Sequence, residues 1–379
     1  MRALTENESA WVLETLKKIE DKMTVVTERN RDKIPYTTEN GRFDDKSVSD
    51  PCWWTNGFWG GEMWQLYKLT GNEMFRQEAI GVEDKLDKNL MNTDGLDHDN
   101  GFKWLPTSVI RYKQEKNKES LNRAMLAANN MAGRFNLAGN FIRAWNNWDN
   151  VDRRGYAIID CMMNLPLLYW ASEETTDPRF KMIAVAHADT AMKEFVREDG
   201  SVNHIVVFDP FTGKVTETLG GQGYAVGSSW TRGQSWGIYG FALSALYTGE
   251  KKYLETSAKI ADYVLSEMPE SYLVPIDYRQ PKDVDLEDST AAAITASGLI
   301  ELAMGLEDEG EADKYLDAAL RLLKTLDEKR VSWGTDTDNL LNNCAVDYHG
   351  DGHNMSIIYG DYYFIEALMK LADKALRIF

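Results

Sequence analysis

Two alternating kinds of helical segment run through the chain. One kind carries a single apolar stripe: Leu316, Ala319, Leu320, Leu323 and Leu326 share a face, as do Leu254, Ala258, Ala261 and Leu265. That spacing predicts amphipathic helices with one wet side. The other kind is apolar nearly all round and rich in Gly and Ala, and residues 236–247 and 291–306 lie just before the two amphipathic segments. Helices without a polar face are buried on both sides. The junction between the two kinds also recurs. A buried segment ends in a turn and an aromatic residue opens the next helix at Phe75, Phe180 and Tyr253, with weaker copies at Leu121 and Tyr315. These centres stand 46, 59, 73 and 62 residues apart, a loose repeat with variable loops. Five helical hairpins follow, and pairing an N-terminal amphipathic helix near 8–23 with a C-terminal apolar one near 357–371 makes six. The prediction is an all-α, single-domain (α/α)6 barrel over residues 1–379, with the apolar helices as the inner ring. An open α-solenoid is the alternative, but solenoids show tighter periods and polar end caps. The best strand signal is 202–208, followed by a turn at 209–213, which predicts a short hairpin.

Composition narrows the function classes. The first residues carry Glu6 and Glu8 where a leader peptide needs a basic start, and the apolar window 291–306 is broken by Glu301. It is shorter than the roughly 20 residues of a membrane span, so no membrane association is expected. Three cysteines without CxxC spacing predict neither disulfides nor a zinc site and suit a reducing cytoplasm. Sixty acidic against 42 basic residues give a net charge of −18, the wrong sign for nucleic acid. An anionic small substrate stays open, because exposed charges beyond about 8 Å are screened while a buried arginine acts locally. No metal or organic cofactor is expected, since neither clustered ligands nor a Gly-rich phosphate loop appears. Oligomeric state is not legible.

The uncommon residues gather in the loops that enter the apolar helices. They are Trp53-Trp54, Asp97 to Phe102, Trp145 to Asp149 running up to Asp160, His204, Gln222 to Tyr224 with Trp230 to Trp236, and His349 to His353. In the barrel these converge on one mouth. Indole faces stack on sugar rings while hydroxyls need amides and carboxylates, so a carbohydrate pocket is the natural reading. Core packing explains individual tryptophans but not their clustering. Asp160 lies near the start of an otherwise buried helix, where it is either a cap or a catalytic acid with a burial-raised pKa. Asp99, in His98-Asp99-Asn100-Gly101-Phe102, is a turn residue or its partner, and such pairs divide acid and stabiliser roles. Arg232 either forks onto a substrate carboxylate or bridges helix ends. His204 and Gln222 are ligand donors or ordinary loop groups, and His98 is a substrate-binding residue or orients its loop.

His98-Asp99-x-Gly-Phe, Ile159-Asp160 with Met163-Asn164-Leu165, Trp230-x-Arg232-Gly233-Gln234-x-Trp236-Gly237, Asp288-Ser289-Thr290-Ala291 and Tyr359-Gly360-Asp361-Tyr362-Tyr363 resemble, in order, the unsaturated glucuronyl hydrolases of glycoside hydrolase family 88. The related unsaturated rhamnogalacturonyl hydrolases of family 105 are similar around Arg232. The resemblance implies an (α/α)6 barrel and release of a terminal 4,5-unsaturated uronic acid from oligosaccharides left by polysaccharide lyases, through hydration of the vinyl ether. It implies that Asp160 protonates C4 and then assists water at C5, with Asp99 as partner. His204, Gln222, Trp230, Arg232 and Trp236 would form the −1 subsite, and Trp53 and Trp145 would be stacking walls. Relatives that act on sulfated sugars use hydroxyl and lysine side chains in the last long loop, whereas 339–359 here holds no Lys or Arg. Strong dependence on sulfate is therefore not expected. An inverting glycosidase on the same barrel remains the reading from another class of chemistry, with carboxyls about 6.5–9.5 Å apart.

Overall fold

Twelve helices form two concentric rings in the computed structural model, which describes residues 1–379. The outer ring holds α1 (Glu6–Arg29), α3 (Glu73–Lys85), α5 (Lys118–Ala132), α7 (Pro178–Glu194), α9 (Lys251–Glu267) and α11 (Glu309–Lys329). The inner ring holds α2 (Phe58–Thr70), α4 (Asn100–Trp104, a π-turn Leu105–Val109 and Ile110–Glu115), α6 (Cys161–Asn164 and Pro166–Thr175), α8 (Thr231–Thr248), α10 (Ser289–Gly305) and α12 (Ile358–Leu371). Around the inner ring each helix packs on the next, and α12 closes on α2. The N-terminal α1 lies on α12, completing the sixth hairpin as the sequence predicts. The barrel, not the open solenoid, is the fold.

The recurring junction has a simple local cause. Inner helices end where Gly71, Lys116, Thr176 and Gly249 enter the left-handed region, with φ of 71°, 55°, 58° and 74°. That conformation satisfies the last carbonyls and turns the chain back on itself. The next residue then starts the outer helix, and Asn72, Asn117 and Asp177 accept backbone N–H groups of the first turn through their side chains. Thr5 and Asp308 cap α1 and α11 in the same way, Thr5 in a reciprocal capping box with Glu8. Phe75, Phe180 and Tyr253 in the first turns of their helices, and Tyr315 in the second turn of α11, are buried and anchor each outer helix to the ring within it.

A core of 95 residues runs without a break from Val12 to Phe379. No helix is long and apolar enough to cross a membrane. The predicted hairpin is present, but its first strand is β2 (Ile205–Phe208), paired antiparallel with β3 (Val215–Leu219). Val202 instead makes an isolated bridge to Val196. The sequence reading missed a third strand, β1 (Tyr156–Ile158), on the other edge of β2. Three residues are too few to show a period of two, yet this strand delivers the chain to Asp160.

The inner ring is drawn tight by small residues. A Cβ on Gly240 of α8 would lie 2.4 Å from the Met162 Cβ of α6. Gly240→Ala should therefore cost roughly 1–3 kcal/mol of stability by overpacking, seen as a lower thermal midpoint.

Candidate active site

At one end of the barrel five of the six inner helices begin without side-chain caps, α10 being the exception. Asp99 holds the cap position of α4, Asp160 that of α6 and Trp230 that of α8, and none of the three side chains bonds to its own helix. Freed from capping, these side chains face the mouth. β1 pairs with β2 so that the Ile159 N–H donates to the His204 carbonyl, which places Asp160 beside His204. The His98 N–H donates to the Ala144 carbonyl and joins the Asp99 loop to the segment carrying Trp145.

The two carboxyls meet across one imidazole. His98 Nε2 lies 3.5 Å from Asp99 Oδ2 and 3.7 Å from Asp160 Oδ1. The three groups offer atoms all within 4.8 Å of one another, closer than the roughly 6.5–9.5 Å that leaves room for the water of an inverting glycosidase. Asp160 Oδ1 is buried without a hydrogen-bond partner, and so are both ring nitrogens of His98. Burial pushes the Asp160 carboxyl up to about 7, with His98 opposing and the Asp99 charge assisting. Burial likewise holds Asp99 well above the usual carboxylate range, helped by Asp97 and opposed by Lys103 and Asn164. Desolvation lowers the pKa of His98, so the bridge is a neutral ring. A His-and-two-acid cluster of this spacing is also small enough to surround a cation. Its carboxyls, however, are biased toward the protonated state, which donates protons rather than ligating metals.

The remaining predicted residues divide into pocket and support. His204 packs on Trp230 with ring centroids 4.1 Å apart. Its Nδ1 lies 3.0 Å from the Gln222 backbone nitrogen, whose N–H it accepts in the Nε2–H tautomer, and 3.2 Å from the Gly220 carbonyl, to which it donates in the other. Burial keeps it neutral by lowering its pKa to about 3. The buried Trp230 Nε1 has no partner in the chain, and neither has Trp53 Nε1. Trp53 stands edge-on to Tyr36 at 5.4 Å, and Trp145 lies half-buried between Trp148 and Tyr156.

Three residues sit differently from the subsite that the resemblance implies. Arg232 is not an open fork: Nη1 donates to Asp288 at 2.7 Å and to the Thr290 hydroxyl and Ala345 carbonyl, while Nη2 donates to the Val346 carbonyl. A buried guanidinium needs a counter-charge and filled donors, and the Asp288 cap of α10 supplies the charge. Arg232 thus braces α8, α10 and the loop before α12, with Trp230 stacked on it at 4.5 Å. Gln222 shares this duty, donating from Nε2 to the Val346 carbonyl at 2.7 Å. Trp236 lies in the packed core beneath the site against Phe102, Tyr359 and Tyr363, because it falls one turn inside α8 and is 1% exposed. Sequence reasoning gave no role to Asn164, which touches both the Asp99 side chain and the Asp160 backbone. Its signal was an amide four residues after Asp160 on an otherwise apolar helix.

No family model matches the chain. It is 35% identical over 347 residues to an unsaturated glucuronyl hydrolase of Bacillus sp. (strain GL1), spanning 90% of this chain and 91% of that protein. It is 30% identical over 346 residues to an unsaturated chondroitin disaccharide hydrolase of Streptococcus pyogenes serotype M1, spanning 89% and 86% of the two. The crystal structure of an unsaturated glucuronyl hydrolase from Streptococcus agalactiae superposes with a TM-score of 0.90 at 28% identity, covering 100% of this chain and 95% of that one. With the barrel, the paired carboxyls at the inner-helix starts and relatedness along nine-tenths of its length, this chain belongs to the unsaturated glucuronyl hydrolases.

Proposed function

We propose that the protein hydrolyses lyase-generated oligosaccharides, releasing the terminal 4,5-unsaturated uronic acid by hydrating its vinyl ether, with Asp160 as acid and Asp99 as partner. The observation that carries this reading is the Asp160 carboxyl, held near neutrality, unpartnered at Oδ1 and within 4.8 Å of Asp99. Protonating a carbon needs a positioned acid that still holds its proton at working pH, and a carboxyl in a dry site meets that need. The Asp160 proton goes to C4, and the positive charge that develops on C5 and the ring oxygen lies beside the Asp99 carboxyl. Water adds at C5 and returns a proton to Asp160. The hemiketal collapses to a C5 ketone as the ring opens, and the aglycone leaves from C1. One water is consumed, the acid is regenerated and no enzymatic nucleophile is required. Trp230 Nε1–H, and His204 Nε2–H in the tautomer that accepts from Gln222, are donors for the uronate in the −1 subsite, and Trp53 and Trp145 are stacking walls. Arg232 and Gln222 hold the loop that closes the pocket, and Trp236 supports its floor.

The defining experiment follows the absorbance of the C4=C5 chromophore with unsaturated disaccharides from chondroitin, hyaluronan, heparin and rhamnogalacturonan. Loss of absorbance is expected with the glycosaminoglycan members, the unsulfated ones preferred because residues 339–359 carry no Lys or Arg. A 1-thio analogue that resists displacement at C1 should still be bleached, and chelators should have no effect. Activity on rhamnogalacturonan fragments alone, or cleavage of saturated glycosides, would overturn the reading. Asp160→Asn should lower kcat by about 100-fold or more, the usual worth of general acid catalysis, while disaccharide still quenches tryptophan fluorescence. Because the acid must be protonated to act, kcat/KM should be level at low pH and fall as pH rises through about 7.

A further inference from the structure

A single buried amide, that of Asn164, makes contact with both catalytic segments. Its Nδ2 donates at 3.3 Å to Asp99 Oδ1 and at 3.3 Å to the Asp160 carbonyl. Its Oδ1 accepts the Phe102 N–H at 2.7 Å, three residues past Asp99. Both N–H donors and the oxygen are thereby in use, on a side chain with no exposure. No other residue of this size offers two donors and an acceptor in one plane: Asp lacks the donors, Leu lacks all three, and Gln is one methylene too long. The fit extends to Gly101, where a Cβ would lie 2.5 Å from the Asn164 Cα and 2.6 Å from its Oδ1. The missing side chain at 101 is what lets the start of α4 come down onto the amide.

We propose that Asn164 is a positioning residue for the vinyl-ether hydration, fixing the Asp99 carboxyl against the backbone of Asp160 so that one oxygen is tied back and the other faces His98 and the substrate. This rests on the reading of Asp99 and Asp160 as the reacting pair. Asp99 meets Asp160 through one neutral ring and has no ion pair of its own, so its orientation is set by the one hydrogen bond its side chain makes, that from Asn164. The bond also works against the desolvation of Asp99. The other charged or titratable groups facing Asp99 and Asp160 are His98, Asp97, Lys103, Arg134 and the buried thiol of Cys161.

The test compares N164L and N164D with wild type and with D160N, using chromophore loss from an unsaturated disaccharide. In N164L, kcat should fall by about 100-fold with KM nearly unchanged, the order that misplacing a catalytic group costs. N164D keeps an acceptor for the Phe102 N–H and removes only the donors. It should fold, fall in kcat relative to wild type as pH rises and the new carboxyl gives up its proton, and regain part of that ratio as pH falls and the proton is shared with Asp99. Such recovery in acid, without a change in thermal midpoint across the same pH range, would support positioning, because a merely structural role would not produce it. Wild-type kcat in N164D at every pH would overturn the proposal. So would a loss of kcat that cooling restores in step with folding, or failure of both variants to fold, since either assigns the amide to stability alone. An active D160N would instead sink the reading of the reacting pair, whatever Asn164 does.

Discussion

Desolvation of two carboxyls at the open end of the barrel is the constraint on which the site depends. A carboxylate removed from water without a counter-charge is costly, and the group responds by holding its proton. Asp160 and Asp99 are denied both cation partners and capping bonds, and His98 between them is kept neutral by the same burial. The nearest cations are otherwise engaged: Lys103 pairs with Asp97, and Arg134 donates to the carbonyls of Leu96, Arg143 and Ala144. The chemistry follows from what is withheld as much as from what is present.

The two ends of the barrel use helix starts in opposite ways. At the far end, Asn72, Asn117, Asp177 and Asp308 satisfy the first N–H groups of their outer helices, so those junctions are self-contained and stabilising. At the mouth, Gly57, Asp99, Asp160 and Trp230 leave inner-helix starts uncapped. The exception is Asp288, which caps α10 and also neutralises Arg232. That ion pair is buried on both sides and its remaining donors reach the backbone at 345 and 346, so it transmits the rigidity of the inner ring to the irregular loop before α12. Losing one partner would leave an uncompensated buried charge, a far larger penalty than the pair's own net worth.

Much of the fold was legible because helical hairpins write their geometry locally. Phe75, Phe180, Tyr253 and Tyr315 mark outer-helix starts through their burial, and Gly71 and Gly249 mark the reversals through their left-handed backbone. Lys116 and Thr176 make the same reversal without glycine, so those junctions carried no equal signal. The three-residue strand at Tyr156–Ile158 was invisible for a related reason, its pairing being decided by β2 nearly fifty residues away.

The residue types of the site and their order along the chain were in the sequence: acids, amides and tryptophans at the entry to apolar helices are an anomaly that local pattern exposes. What each side chain does was decided by tertiary structure. Arg232 reads as a fork for a carboxylate or a bridge between helix ends until Asp288 and the 345–346 backbone come into contact with it, and Trp236 reads as a subsite residue until α8 turns it into the core. Asn164 reads as one polar residue on a greasy helix until α4 descends over Gly101 and brings Asp99 within its reach. Periodicity reports which face of a helix is buried, a property of the helix alone. Hydrogen-bond partners and the pKa of a buried acid depend on which other elements arrive at the same point, and only the closed ring sets that.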